Sequence, residues 1–329
     1  MKMKSFSLSL VCRCFAGALA LTMVAPTSAQ QWPSKPIRLI VPFPPGQGAD
    51  VLGRLVADGL SRALNTPVIV ENRVGAGGSV GTEIAAKAAP DGYTLLVAGS
   101  GPIAISQSLY PKLGYNTLRD LAPISNLVLL PLIFCVNPAS PIMGIADLTK
   151  LAKAEPDKIT YGSSGSGSVA HLTMAVFESM AGIKLVHVPY KGSIPVITDL
   201  IGGQIAVLTE TTPAVYSFIK SGKIRAIGVS TAKRIPLLPD VPTLAEQGIT
   251  GYDVTAWAGL FAPAGTPDAI LDRLNAEVVK IFKTPELQKR AQDLVMIPVA
   301  DSREQFTAYI KSELVNWDKA VKVSGATAE

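Results

Sequence analysis

The chain has 329 residues, with 30 Lys and Arg against 25 Asp and Glu, two His and three Cys. No Lys/Arg cluster or aromatic-basic stripe marks a nucleic-acid surface, and neither histidine belongs to a metal-spaced set. A chain of about 300 residues can bury a sufficient core without staples, and this length is a soft prior for two domains.

At the N-terminus, Lys2, Lys4 and Arg13 accompany an apolar run over residues 16–25, and Thr27, Ser28 and Ala29 follow with small side chains. This order predicts a signal peptide over 1–29, cleaved between Ala29 and Gln30, and an exported, periplasmic product. The apolar run falls short of the roughly 20 residues a spanning helix needs, and no later segment is long and apolar enough to span a membrane. Cys12 and Cys14 come too early for a lipid-anchored terminus and leave with the peptide. Only Cys135 remains, so no intramolecular disulfide can form. Export removes three cations, leaving 27 basic against 25 acidic residues and a net charge of +2.

In chain order, short apolar runs alternate with amphipathic stretches, the pattern of βα units around a mostly parallel sheet. "IRLIVPF" (37–43), "VIVEN" (68–72) and "TLLVAGS" (94–100) read as strands, with helices over 50–64, 79–88 and 103–109. A second set follows: strands "ITYGSS" (159–164), "LVHVPY" (185–190) and "IAVLTE" (205–210), with helices over 169–181, 194–201 and 214–221. In each set the first strand runs into a glycine-rich loop and then a helix.

The long apolar stretches 123–138 and 251–265 read as strands that carry the chain from one lobe to the other and back. A helix over 268–282 and a strand at 296–300 then rejoin the first lobe. The expectation is an α/β protein of two lobes, 30–125 plus 253–329 and 126–252, joined by a two-strand hinge near Ser125 and Tyr252. A ligand is expected in the crevice at the C-terminal ends of the parallel strands.

Two loops carry the chemistry. In "PFPPGQGAD", Pro42, Pro44 and Pro45 donate no N–H, which leaves the amides of Gly46 to Asp50 near a helix start whose dipole favours an anion. Asp50 reads first as an N-cap, and Phe43 as core or as a wall of the pocket. In "GSSGSGSVAH" (162–171), Ser163, Ser164, Ser166 and Ser168 offer hydroxyls and Gly165 allows close approach; Ser168 also suits an N-cap. Gly165, Gly167 and Ala170 fit a loose dinucleotide pattern, but the next strand ends Pro189-Tyr190-Lys191 with no acidic residue for a ribose, so no cofactor is expected. A catalytic reading would pair Ser164 with His171 and Glu210. With no G-x-S-x-G elbow, His171 reads instead as a helix-surface or ligand-contacting residue, and Lys191 as a solvated turn residue.

The order "WPSKPIRLIVPFPPG", "VENRVGAGGSVGTEIAAKAAPDGYTLL", "YGSSGSGSVAHL", "HVPYKG", "DLIGGQI", "DVPTLAEQG" and "GLFAPAGTP" resembles the Bug-type solute-binding proteins of tripartite tricarboxylate transporters over nearly the whole mature chain. The resemblance implies a type II periplasmic binding protein, a Venus flytrap that closes on a small carboxylate and hands it to membrane permease subunits, without catalysis or cofactor. It places ligand contacts at Gln47, Gly48, Ala49 and Asp50, with Ser100 and Gly101 opposite. With the second-lobe loop the candidate set becomes Phe43, Gln47, Gly48, Ala49, Asp50, Ser100, Gly101, Ser163, Ser164, Gly165, Ser168, His171 and Thr209. The chain departs from the family's "PGGxTD" at Gln47 and Ala49, and has Ala206 where relatives carry an aspartate. The carboxylate's identity stays open among citrate-like, linear, aromatic and amino acids. A monomer is expected; a ligand-sensing partner of a membrane receptor and a secreted serine hydrolase are the alternative readings.

Overall fold

The computed structural model describes residues 32–327; the signal-peptide reading and its cleavage point lie outside them. Strands β1 (Ile37–Val41), β2 (Val68–Asn72) and β3 (Thr94–Gly99) pair in parallel. Helix α1 (Gly48–Leu64) returns between β1 and β2 and lays Leu52, Val56, Leu60 and Leu64 into the core beneath them. Helix α2 (Ser79–Ala86) connects β2 to β3, and a wide turn at Gly101–Ile105 leads through α3 (Ser106–Leu109) and α4 (Thr117–Asp120) to β4 (Leu121–Val136).

The second set comprises α5 (Ile145–Ala154), β5 (Thr160–Ser163), α6 (Val169–Ala181), β6 (Val186–Pro189), α7 (Ser193–Ile201), β7 (Val207–Thr211), α8 (Thr212–Lys220) and β8 (Arg225–Val229). The chain returns through β9 (Thr255–Pro263), α9 (Asp268–Phe282), α10 (Pro285–Asp293), β10 (Ile297–Pro298) and α11 (Arg303–Ser324). The strand order is β2-β1-β3-β9-β4-β7-β5-β6, with β8 and β10 also paired to β4.

The sheet is therefore mixed rather than mostly parallel. The triplets β2-β1-β3 and β7-β5-β6 are parallel, as βα units require. Between them, β4 leaving one half and β9 returning to it run past each other antiparallel, and each is antiparallel to the triplet beside it. Residues 121–131 of β4 pair with β9, and 132–136 pair with β7, so the partners change at Pro131/Leu132. Ser230 sits at that change, fully buried. Its N–H donates to the Leu132 carbonyl (2.9 Å), its Oγ accepts from the Leu132 N–H (3.0 Å) and donates to the Val254 carbonyl (2.5 Å), and its own carbonyl accepts from the Val254 N–H (2.9 Å). Both crossings are thereby fastened to one residue.

Helix α11 was not foreseen. Ser302 and Gln305 close a capping box at its start, and its Trp317, Ala320 and Val321 pack on Ala104 and Ile105 from the first set and on Leu172 of α6. Its buried Glu313 accepts from the indole N–H of both Trp257 and Trp317, each at 2.8 Å. Trp257 in turn lies against Gly99, where a Cβ would stand 2.1 Å from the Trp257 carbonyl oxygen; only glycine allows β9 to approach β3 this closely.

Candidate functional site

The first loop turns on Gly46, which holds φ of +83°, and Gln47 is extended at φ −75°, ψ 161°. Helix α1 consequently begins at Gly48, two residues before the expected N-cap at Asp50. Gln47 occupies the cap position without a side-chain bond, and Asp50 is the third helical residue. Its carboxylate reaches back instead: Oδ2 accepts from the Gly46 N–H (2.8 Å) and from Arg54 Nε (2.9 Å), and Oδ1 accepts from Asn72 Nδ2 (2.8 Å). Asn72 also donates to the Phe43 carbonyl (2.9 Å), which ties the end of β2 to the loop.

Asp50 is 2% exposed. Burial would raise its pKa, but the bonds from Arg54, Gly46 and Asn72 outweigh it and hold the carboxyl at about 2. The loop's own negative charge is thus matched where it stands. Of the five amides expected to be free, Gly46's serves Asp50 and Gln47's donates to the Pro44 carbonyl (3.3 Å). Those of Gly48, Ala49 and Asp50 have no acceptor among the described residues, and Gln47 and Gly48 are exposed. Three successive unclaimed donors thus stand at the positive end of a 17-residue helix, an arrangement that favours an anion.

Two other loops meet each other beside Phe43 of this first loop. A Cβ on Gly78 would lie 3.2 Å from the Phe43 ring and 3.3 Å from Pro102, and one on Gly101 would lie 3.8 Å from the Gly77 carbonyl. Phe43 is half-buried at the edge of the core. Ser100 is buried, its Oγ accepting from the Trp257 N–H (3.1 Å), so β9 fixes the start of the Gly101 turn. The Gly77–Gly78 segment and Asn72 were absent from the expected site. Their signal was present in "VENRVGAGGS", where a polar strand end runs into three glycines.

In the second half, Ser168 caps α6, its Oγ accepting from the His171 N–H (3.2 Å). Ser163 is buried; its hydroxyl donates to the Gly165 carbonyl (3.0 Å) and meets His187 Nε2 at 2.7 Å. The buried Glu210 carboxyl accepts from the N–H (3.1 Å) and the hydroxyl (3.4 Å) of Thr211, with the Ser164 and Ser193 side chains nearby. Burial nevertheless raises the Glu210 pKa. A Cβ on Gly167 would lie 2.6 Å from Leu109, so this loop abuts α3 of the first set.

Two candidates have other surroundings. Thr209 is fully buried in the sheet opposite Phe134, its hydroxyl without a partner. A β7 side chain two residues short of the strand end is covered by its neighbours, whereas Glu210 and Thr211 reach the polar cluster. His171 is 5% exposed and lines a groove of about 550 Å³ with His187, Glu178 and residues 323–327. Its Nδ1 accepts from the Gly167 N–H (3.0 Å), so it does not pair with Ser164 as a base. Among the described residues no group of His, Cys, Asp and Glu could hold a metal ion, and no helix is long and apolar enough to cross a membrane.

Residues 52–325 match the profile described as "Tripartite tricarboxylate transporter family receptor". Protein BugT of Bordetella pertussis is 37% identical over 305 residues, covering 92% of this chain and 94% of that protein. An R. palustris protein solved with adipate superposes with a TM-score of 0.79 at 32% identity, covering 90% of this chain and 99% of that one. MatC from Rhodopseudomonas palustris, with bound malate, superposes with a TM-score of 0.75 at 29% identity, covering 88% and 100%. The profile match and the full-length relatives agree with the motif order: this chain belongs to the receptor family of tripartite tricarboxylate transporters, the Bug-type periplasmic solute-binding proteins.

Proposed function

We propose that this receptor seats the charge of a small organic carboxylate on the Gly48, Ala49 and Asp50 amides, closes over it, and delivers it to the membrane permease subunits of a tripartite transporter. The observation that carries this reading is the pairing of three unclaimed amides with a neighbouring carboxylate that Arg54 and Asn72 already satisfy. An unmatched Asp50 would repel an incoming anion; a matched one leaves the helix end net attractive. Relatives with bound malate and with adipate support acids of this size.

Closure moves lobes 30–125 plus 253–329 and 126–252 about the crossings that Ser230 fastens. An acid that touches both lobes gains contacts only in the closed form and shifts the equilibrium by that difference. The test is a thermal-shift screen with citrate, adipate, malate, benzoate and aspartate, followed by solution scattering. One class raises the midpoint and compacts the protein. No shift with any of them, or an unchanged radius at saturation, contradicts the reading.

A further inference from the structure

Two histidines stand behind the second-half loop. His171 Nδ1 accepts the Gly167 N–H, which puts its ring proton on Nε2. The Ser163 hydroxyl spends its proton on the Gly165 carbonyl, so at the 2.7 Å contact His187 Nε2 is the donor and its Nδ1 is bare. The two rings lie parallel, 3.9 Å apart at 8°, and Tyr161 stacks on His187 at 4.8 Å. One histidine thus holds the far end of the 163–168 loop and the other the near end, and the stack joins them into one unit.

We infer that His171 and His187 are positioning residues, neutral imidazoles that lock the 163–168 loop in its receiving shape without touching the acid. What the loop receives rests on the carboxylate-receptor reading; the lock itself does not. A proton on His171 Nδ1 would convert the acceptor into a donor facing the Gly167 N–H, and the bond would be lost. The groups around the pair are the Tyr161 hydroxyl on β5 and, in the same groove, Glu178 on α6 with Asp157 and Lys184; residues 323–327, which also line it, carry no charged side chain. Glu178 is occupied, its Oε1 accepting from the Leu185 N–H at 2.6 Å. Burial first, then the neighbouring His187, lowers the His171 pKa to about 4, and burial lowers that of His187 as well. The lock is therefore engaged at neutral pH.

The test follows the Gly167 amide by NMR hydrogen exchange in the full mature protein, free of acid, in wild type, His171→Asn, His171→Leu, His187→Gln and His187→Leu. Asparagine and glutamine replace the ring acceptor and the ring donor respectively. In His171→Leu the Gly167 amide exchanges about tenfold faster, as expected for one lost hydrogen bond, and in His171→Asn it stays slow. Wild-type protection falls as pH drops toward 4, and His171→Asn protection does not. Equal protection in His171→Leu, failure of asparagine to rescue, or identical pH profiles overturns the inference. Should His171→Leu not fold, the pH profiles of wild type and His171→Asn decide. Affinity is read with whichever of citrate, adipate, malate, benzoate and aspartate gives the largest midpoint shift: both leucine variants weaken it, and His187→Gln restores it. Unchanged affinity in both leucine variants overturns the positioning role. If no acid shifts the midpoint, the carboxylate reading fails, while amide exchange still decides the lock.

Discussion

After β1, the loop carboxylate Asp50 is gathered by Arg54, Asn72 and the Gly46 amide, and the amides that follow it stay free. After β5, the loop's groups bond among themselves through Ser163, Ser168 and two histidines, and the nearby carboxyl of Glu210 is met by the amide and hydroxyl of Thr211, with no ion-pair partner among the described residues. Both loops follow a parallel strand and open a helix, yet one carboxyl falls to about 2 and the other rises. A glycine-rich loop is thus not in itself an anion site. What decides is whether its donors are already taken and whether its own charge is matched.

The largest effect should come from Asp50→Asn, which leaves three donors facing one remaining acceptor and deprives Arg54 of its partner. A loss of about 3 kcal/mol of stability is expected in urea unfolding at pH 7, less than for a fully buried pair because Arg54 is half-exposed. In wild type the Asp50 contribution is complete above its ordinary value of 3.8 and is lost as pH falls through about 2. A variant as stable as wild type would remove the matched-charge half of the comparison.

His171 comes next, with a different pH window. Its folded-state pKa lies below the ordinary 6.5, so on acidification the unfolded chain takes a proton that the folded chain refuses. Stability therefore falls between pH 6.5 and about 4, by roughly 3 kcal/mol at most at 1.36 kcal/mol per pKa unit. His171→Asn should flatten that part of the curve, read as the thermal midpoint against pH. An unchanged slope would mean that the ring is not held neutral.

Glu210→Gln should do least. The raised pKa of Glu210 means that its ionisation opposes folding as pH climbs past the ordinary 4.5, so the neutral amide should match or exceed wild-type stability at pH 7, by about 1 kcal/mol or less, with the difference shrinking toward pH 4.5. A large destabilisation at pH 7 would show that Glu210 needs its charge, and the contrast with Asp50 would collapse.

Much of this fold was legible in the sequence. The strand at 68–72 and the helices at 169–181 and 268–282 coincide with the structure because their apolar periodicity is complete and their ends carry turn residues. Helix α11 was missed although Ser302 and Gln305 spell its cap, because Glu313 interrupts its apolar face; that carboxyl is buried only because Trp257 and Trp317 meet it. The alternating pattern predicts a mostly parallel sheet, but β4 and β9 pair antiparallel, since strand direction depends on which neighbours a strand joins and not on its own residues. The first loop's position was readable from its prolines and glycines, but Asp50's partners were not: Asn72 comes from another strand, and nothing local announces it. His171 reads in the sequence as a helix-surface or ligand-contacting residue, but it is buried, and its bond back to the Gly167 amide within the loop depends on a ring orientation that nothing in the local sequence announces.

Titration calorimetry on Gly48→Pro, beside Lys191→Ala, tests the central claim most directly. Gly48 is the first helical residue and Gln47 is extended before it, a setting that proline accepts; the space around Gly48 is open, with Met296 no nearer than 3.6 Å to a Cβ. The substitution therefore deletes one amide donor and little else, and the empty protein should melt within a few degrees of wild type. Losing one hydrogen bond to a charged group is worth roughly 1.5–3 kcal/mol, so affinity for the best acid of the screen should fall about ten- to a hundredfold, while Lys191→Ala should bind as wild type does. Normal binding by Gly48→Pro with lost binding in Lys191→Ala would place the charge on a side chain and contradict the amide seat.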